Sequence, residues 1–151
     1  MTNQQTPHYD AIVIGAGFAG LAAIHYLREA GVSLRVFDRA SDIGGTWTWN
    51  RYPGAMTDSE SYYYCLTFST ELLQEWSWSA RYPDWKETLN YFHFVADKCD
   101  MWRDIQLNTE IASADYDKPL DECGLPDRVR RAVIVHRGEL TEEYSYLEQS
   151  L

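Results

Sequence analysis

A strand, a glycine-rich turn and a helix follow one another without a break between Tyr9 and Asp38, and they constrain the fold more than any other part of the sequence. The apolar run Ala11–Ile14 (AIVI) has no polar alternation, which is typical of a strand buried on both faces of a parallel sheet. It leads directly into the turn Gly15–Gly20 (GAGFAG), and residues 21–30 are rich in good helix formers. The stretch therefore predicts an α/β fold, in which a parallel sheet carries flanking helices.

The glycine spacing in the turn is that of a dinucleotide-binding site. In a GxGxxG motif the glycines permit a tight turn, a close approach of backbone to a pyrophosphate, and close packing of helix on strand. An ordinary strand-to-helix loop is the alternative, but the preceding strand and the following helix both favour a dinucleotide. The predicted binding residues of this motif are Gly15, Gly17, Phe18, Ala19 and Gly20.

An acidic residue closes the second predicted strand, Leu34–Phe37, at the distance of about 20 residues that is typical of dinucleotide-binding folds. Asp38 stands where a carboxylate accepts hydrogen bonds from ribose hydroxyls, and Arg39 beside it is a second binding candidate. A carboxylate at this position would repel the 2′-phosphate of NADP. The motif therefore favours FAD or NAD as the ligand.

Length, charge and cysteine content narrow the class of protein. With 151 residues and a formal charge of −10, the chain is expected to form one domain without a nucleic-acid groove or a surface for anionic membranes. Cys65, Cys99 and Cys123 are widely spaced, so neither a disulfide framework nor a metal site is predicted. No secretory signal is visible, and no apolar stretch approaches the ~20 residues of a membrane span. These features predict a cytoplasmic protein.

A long segment rich in glycine and aromatic residues follows Asp38. Pro53 and the pair Gly44-Gly45 preclude a long regular element, and long loops inside compact domains are usually functional. The rings would be costly to leave in water, so they either contact a ligand or pack as a satellite core, and both alternatives stay open. The large aromatic residues of this segment are Trp47, Trp49 and Tyr52.

The run Gly44–Gly54 (GGTWTWNRYPG), followed by Asp58–Ser61 (DSES), resembles the second FAD motif of flavin-dependent monooxygenases, most of all the Baeyer–Villiger, cyclohexanone-monooxygenase-like type. The similarity continues to about Tyr116. It implies an incomplete Rossmann-like FAD-binding fold, in which residues 1–117 are the N-terminal part of the FAD-binding domain and residues 118–151 are a divergent tail.

The resemblance also implies roles for residues of the second motif. Asp58 matches an acid that lies near the flavin and helps to hold a catalytic arginine, so it is both a catalytic and a cofactor-binding candidate. From the residues alone, an exposed loop carboxylate or a helix cap is the alternative. Tyr64 is a weaker match, because three consecutive tyrosines make the register uncertain. The other implied FAD-binding residues are Gly45, Thr46, Trp47 and Trp49.

An intact member of this family binds FAD, reduces it with NADPH, and oxygenates a ketone to an ester or lactone. This sequence has no second GxGxxG for NADPH and no FxGxxxHxxxWP class signature, so we expect a truncated, frameshifted or cut product that is inactive alone. Two alternatives are a non-catalytic dinucleotide-binding remnant or interaction module, and an N-hydroxylating or sulfur-oxidising flavin monooxygenase. The sequence leaves the oligomeric state open.

Sequence patterns predict five further elements. Asp84 to Trp102 forms an amphipathic helix whose apolar face is expected to be core, with His93 as a surface or packing residue. The segments 105–108 and 110–114 alternate loosely and are predicted strands, and the resemblance implies that they join a small sheet beside the nucleotide-binding fold. Residues 132–135 are predicted as an isolated strand, and an apolar stripe predicts a short helix over the last dozen residues.

Overall fold

The computed structural model describes residues 8–116, 129–136 and 139–145. Two three-stranded sheets and four α-helices make up this part of the chain. In chain order the elements are β1 (Ala11–Ile14), α1 (Phe18–Glu29), β2 (Leu34–Phe37), α2 (Thr46–Trp49), α3 (Thr70–Glu75), α4 (Trp85–Lys98), a 3₁₀ turn (Trp102–Asp104), β3 (Ile105–Gln106), β4 (Glu110–Tyr116), β5 (Val129–His136) and β6 (Glu139–Ser145).

The first sheet is parallel and has the strand order β1-β2-β3. Val13 pairs with Val36, and Val36 pairs with Ile105 on its other side. The α/β class with a parallel sheet is therefore confirmed, and the order is that of one half of a doubly wound sheet. The prediction that residues 105–108 join the second sheet was wrong. Ile105 is buried and packs in the main core, which holds β3 beside β2 instead.

The second sheet is antiparallel and has the order β4-β5-β6. The strand predicted at 132–135 is present in β5 but is not isolated, because β5 pairs with both neighbours. The predicted helix is wrong over 140–145, where pairing with β5 makes β6 a strand, and residues 146–151 lie outside the described residues. Only two residues separate β5 from β6, which is the spacing of a tight hairpin. The boundary predicted at residue 117 falls between two strands of this sheet.

Helix α4 contributes four of the fifteen buried residues of the main core in the described part of the chain, Tyr91, Phe92, Val95 and Ala96. The Asp84 side chain caps the helix by accepting from the Glu87 backbone N–H at 2.9 Å. The predicted helix is confirmed, but it ends before Trp102 because Asp100 adopts a left-handed φ of 49°. The Tyr91 hydroxyl accepts from the Leu66 N–H at 2.7 Å, and burial raises the pKa of this phenol to about 12. The buried residues of α4 are Thr88, Leu89, Tyr91, Phe92, Val95 and Ala96.

Helix α3 was not predicted. Ser69 begins it by accepting from the Leu72 N–H, and Leu72 is its buried residue. In the described part of the chain no helix has the length and apolarity needed to cross a bilayer. The same residues contain no group of three or more side chains placed to hold a metal ion.

Candidate functional site

Two glycine turns meet at the C-terminal end of the parallel sheet. The first turn joins β1 to α1, and the second precedes α2. The Gly44 N–H donates to the Ala16 carbonyl at 2.9 Å. A Cβ atom on Gly45 would lie 3.2 Å from the Gly17 Cα, which is tighter than ordinary contact. The two turns therefore touch backbone to backbone, and a side chain on Gly45 would press the second turn away from the first.

The glycines of the motif meet distinct steric demands. Gly15 has a φ of +102°, which side chains rarely allow, and its N–H donates to the Phe37 carbonyl at 2.8 Å. A Cβ on Gly20 would lie 2.1 Å from the Gly15 carbonyl oxygen. The first turn is therefore sharp and is packed directly against the first turn of α1.

A cavity of about 540 Å³ opens between the two turns. Nine of the predicted cofactor-binding residues line it, whereas Asp38, Arg39, Trp49 and Asp58 are not among its lining residues. The complete lining is Val13, Ile14, Gly15, Gly17, Phe18, Ala19, Gly20, Ala23, Gly44, Gly45, Thr46, Trp47, Tyr64 and Phe92.

The N-terminus of α1 lies at this cavity. Gly17 is the N-cap residue, and no side chain caps the helix there. The first turn of α1 also contains no acidic residue. The first N–H groups of a helix lack partners within the helix and carry the positive end of its dipole, so they favour a phosphate. The cavity therefore fits the pyrophosphate of a dinucleotide.

Asp38 holds the first turn in place. Its buried carboxylate accepts from the Ala16 N–H at 2.7 Å through Oδ2 and from the Ala40 N–H at 2.8 Å through Oδ1. A carboxylate offers about four acceptor positions, so two remain for other donors. This structural role was not predicted. Beside it, the exposed Arg39 guanidinium lies 5.4 Å from the centre of the Trp49 ring, and Trp49 is 58% exposed.

An aromatic wall closes one side of the cavity. The Trp47 indole N–H donates to the Tyr64 hydroxyl at 2.9 Å, and Trp47 is buried. The Phe18 ring contacts Tyr64 edge-on at 4.8 Å between centroids and Phe92 at 4.6 Å. For the aromatic segment after Asp38, the two alternatives were ligand contact and packing as core. Trp47 does both, since it belongs to the core and also lines the cavity, whereas Tyr52 is 61% exposed.

The three consecutive tyrosines and Asp58 differ in where they lie relative to the cavity. Tyr62 and Tyr63 are exposed, and Tyr64 alone of the three lines the cavity. Asp58 is exposed and accepts from the Ser59 hydroxyl at 3.3 Å. Its role near a flavin stays a prediction.

Five lining residues were not among the predicted site residues: Val13, Ile14, Ala23, Gly44 and Phe92. Two of them are informative. Phe92 belongs to the apolar face of α4, which was interpreted as core alone, yet this residue both packs in the core and lines the cavity. Gly44 was recognised within the motif but not as a site residue. The sequence signal that could have identified Gly44 is its pairing with Gly45. The structure shows why glycine is needed there, since a Cβ atom on Gly44 would lie 2.5 Å from the Leu89 Cδ1 atom.

We predict that Tyr64→Phe destabilises the fold while Tyr63→Phe does not. Loss of the Tyr64 hydroxyl leaves the largely buried Trp47 N–H without its partner, which costs about 1–3 kcal/mol. The Tyr63 side chain is 73% exposed and provides a matched control. Urea unfolding followed by circular dichroism measures the difference. Equal stabilities of the two variants would contradict the assigned Trp47–Tyr64 contact.

Comparison with known proteins identifies similar sequences. A profile of the NAD(P)-binding Rossmann-like domain matches residues 13–92, which is more than half of the chain. An acetone monooxygenase (methyl acetate-forming) from Gordonia sp. (strain TY-5) is 51% identical over 113 residues, covering 75% of this chain and 21% of the relative. A Baeyer–Villiger monooxygenase from Pseudooceanicola batsensis is 50% identical over 111 residues, covering 73% and 20%. A phenazine N-monooxygenase from Lysobacter antibioticus is 48% identical over 119 residues, covering 78% and 22%.

Solved structures show the same relationship. An oxidized steroid monooxygenase bound to NADP superposes with a TM-score of 0.76 at 45% sequence identity, covering 93% of this chain and 25% of the other. A closed cyclohexanone monooxygenase superposes with a TM-score of 0.76 at 37% identity, covering 94% and 25%. The chain therefore spans about a fifth to a quarter of the length of the proteins it resembles.

Proposed function

Since this chain belongs to the NAD(P)-binding Rossmann-like family and its relatives include an acetone monooxygenase and a Baeyer–Villiger monooxygenase, we propose that it is the N-terminal FAD-binding part of an NADPH-dependent enzyme that oxidises ketones to esters or lactones. The single observation that carries this proposal is the contact between the two glycine turns. It places an uncapped helix N-terminus and an aromatic wall around one cavity.

The residues present fit FAD. The N–H groups of Phe18 and Ala19 at the start of α1 would bind the pyrophosphate, and Asp38 would accept from the ribose hydroxyls. Trp47 and Tyr64 would exclude water from one side of the cofactor. When bound, FAD would supply the redox chemistry, in which NADPH is the reductant and dioxygen provides one oxygen atom to the ketone and the other to water, while the protein binds and orients the cofactor.

The exposed residues beside the cavity have a proposed role at its outer edge. We place Asp58 near the flavin end of the cofactor. There its exposed carboxylate could pair with the catalytic arginine of the intact enzyme, for which this sequence offers no candidate. Arg39 and Trp49 stack on one another next to Asp38 and offer a flat cationic surface to the adenine end. We further propose a small-molecule ketone as the substrate of the intact enzyme, no nucleic-acid partner, and a cytoplasmic location, in keeping with the acidic composition.

A second candidate function is N-oxygenation. It is favoured by the phenazine N-monooxygenase, which is 48% identical to this chain over 119 residues. Both candidates need the same FAD site, so the described residues serve either one. Extending the coding sequence and assaying the longer product with a ketone and with an aromatic nitrogen heterocycle distinguishes them.

We predict that Asp38→Ala weakens FAD binding by about 1–3 kcal/mol, because a charge-assisted hydrogen bond is lost. Equilibrium titration with FAD measures the dissociation constant, which should rise between about 5-fold and 150-fold. Asp38→Asn keeps one acceptor oxygen and guards against misfolding, since Asp38 also holds Ala16. Glu29→Ala removes an exposed carboxylate at the other end of α1 and serves as the control. Unchanged affinity in both Asp38 variants, or tighter binding of NADP than of FAD by the unmodified chain, would refute the assignment.

A further inference from the structure

The Asp42 side chain, just before the second glycine turn, is bound on both of its oxygens. Oδ1 accepts from the Ile43 N–H at 2.9 Å and lies 2.8 Å from the His93 Nε2 atom. Oδ2 lies 3.7 Å from an Arg51 guanidinium nitrogen. The Asp42 side chain is only 25% exposed, so these contacts are partly shielded from water. The start of the turn is thus tied both to α4, through His93, and to the residues that follow α2, through Arg51.

Further hydrogen bonds connect the residues that follow the second turn to those that precede it. The Arg51 Nε–H donates to the Thr48 carbonyl at 2.8 Å, and the Thr48 hydroxyl donates to the Ile43 carbonyl at 2.5 Å. Arg51 also lies over the Trp85 ring at 5.6 Å. The residues on either side of Gly44 and Gly45 are therefore cross-linked by hydrogen bonds and anchored to α4.

The second turn needs such support because its glycines hold unusual backbone conformations. Gly44 and Gly45 have φ values of +119° and +55°. Glycine loses more conformational freedom on ordering than any other residue, so an unsupported glycine pair would sample many states. Leu89 fills the space under Gly44, and His93 stands four residues further on the same face of α4. One face of α4 thus supports the turn through an apolar contact from Leu89 and a polar contact from His93.

We propose that His93 is a positioning residue of the cofactor site, which acts through Asp42 to hold the second glycine turn against the first. His93 does not line the cavity, and its effect is exerted on the position of Gly45 and Thr46, which do. The inference rests on the proposed function, because it assigns a determinant of FAD affinity. Removing His93 loosens the flavin side of the cavity and leaves the N-terminus of α1 and Asp38 intact.

Comparing FAD with ADP in the full 151-residue chain tests this role. ADP needs the first turn, Asp38 and the proposed Arg39–Trp49 surface, whereas FAD also needs Gly45, Thr46 and Trp47 around the second turn. His93→Ala should raise the dissociation constant for FAD about tenfold or more, since small displacements of positioning groups have effects of this order. The constant for ADP should stay within about twofold. His93→Gln keeps an N–H donor toward Asp42 and should restore most of the FAD affinity.

The control variant is His25→Ala. His25 stacks on Phe68 and lies near Glu29 on α1, so it has comparable packing but contacts neither glycine turn. Its affinities for both ligands should equal those of the unmodified chain. An equal loss of FAD and ADP affinity in His93→Ala would show a general structural role and overturn the proposal.

Amide hydrogen exchange tests the turn without any ligand. The Gly44 N–H, bonded to the Ala16 carbonyl, should exchange about tenfold faster in His93→Ala, because local opening of the turn becomes easier. The Val32 N–H, bonded to the Leu27 carbonyl, should exchange at an unchanged rate. Unchanged exchange at Gly44 would overturn the role of His93. Failure of the unmodified chain to bind either FAD or ADP would instead refute the proposed function, and the exchange result would still decide the role of His93.

Discussion

Gly20→Ala should strongly destabilise the folded state of this chain. The new Cβ atom would lie 2.1 Å from the Gly15 carbonyl oxygen and 3.1 Å from the Gly15 carbonyl carbon, distances that no rotamer change relieves because both atoms are backbone. Gly15 cannot retreat easily, since its N–H is bonded to the Phe37 carbonyl and its φ is +102°. Either α1 moves away from the sheet or the turn opens, and both disrupt the core around Leu21.

The expected change in the free energy of unfolding has the opposite sign to the change that helix propensity predicts for Gly20→Ala. Gly20 lies inside α1, where replacing glycine by alanine ordinarily stabilises a helix by about 1 kcal/mol. Overpacking against backbone should reverse this and cost about 3 kcal/mol or more. Urea unfolding followed by far-ultraviolet circular dichroism provides the measurement.

Gly31→Ala is the matched control. Gly31 has a φ of +71° but no atom within 4 Å of the position of a Cβ, so only backbone strain of about 1–2 kcal/mol is expected. A stability of Gly20→Ala at or above that of Gly31→Ala would contradict the close packing of the first turn on α1. The comparison thus separates the requirement for space from the requirement for a left-handed conformation.

The first turn could be predicted because its determinants are local in sequence. The strand, the GxGxxG spacing and Asp38 lie within 30 residues of one another, and each residue type has one physical reason for its position. The structural role of Asp38 in holding the first turn could not be predicted in the same way. Its bonds to Ala16 and Ala40 depend on how β2 ends beside the turn, which only the folded chain shows.

Contacts between different elements, some of them distant in sequence, account for what the sequence did not reveal. His93 meets Asp42 across 51 positions (93 − 42), and periodicity on α4 could place His93 only outside the apolar stripe. Likewise, Leu140 and Tyr144 fit a helical stripe, yet strand pairing places both in β6. Tertiary pairing overrides local periodicity when the periodic segment is short.

The other large expected effect concerns catalysis: the purified 151 residues should show no ketone-dependent NADPH consumption. One GxGxxG turn serves one dinucleotide, and with FAD there this sequence offers no second such turn to hold NADPH in line with the flavin. Hydride transfer at a useful rate needs both cofactors in fixed relative positions. The expected rate of NADPH oxidation is therefore that of free FAD, with or without a ketone.

The surroundings of the cavity lead to the same expectation. Trp47 and Tyr64 wall one side, but Trp49, Tyr52 and Met56 of the same loop are 58%, 61% and 55% exposed. Oxygen transfer by a reduced flavin requires a closed site that excludes water, which this open edge does not provide. FAD should accordingly be lost on gel filtration, leaving a colourless protein. Stoichiometric FAD retention together with ketone-dependent NADPH consumption, in a preparation whose mass shows only these 151 residues, would overturn the prediction.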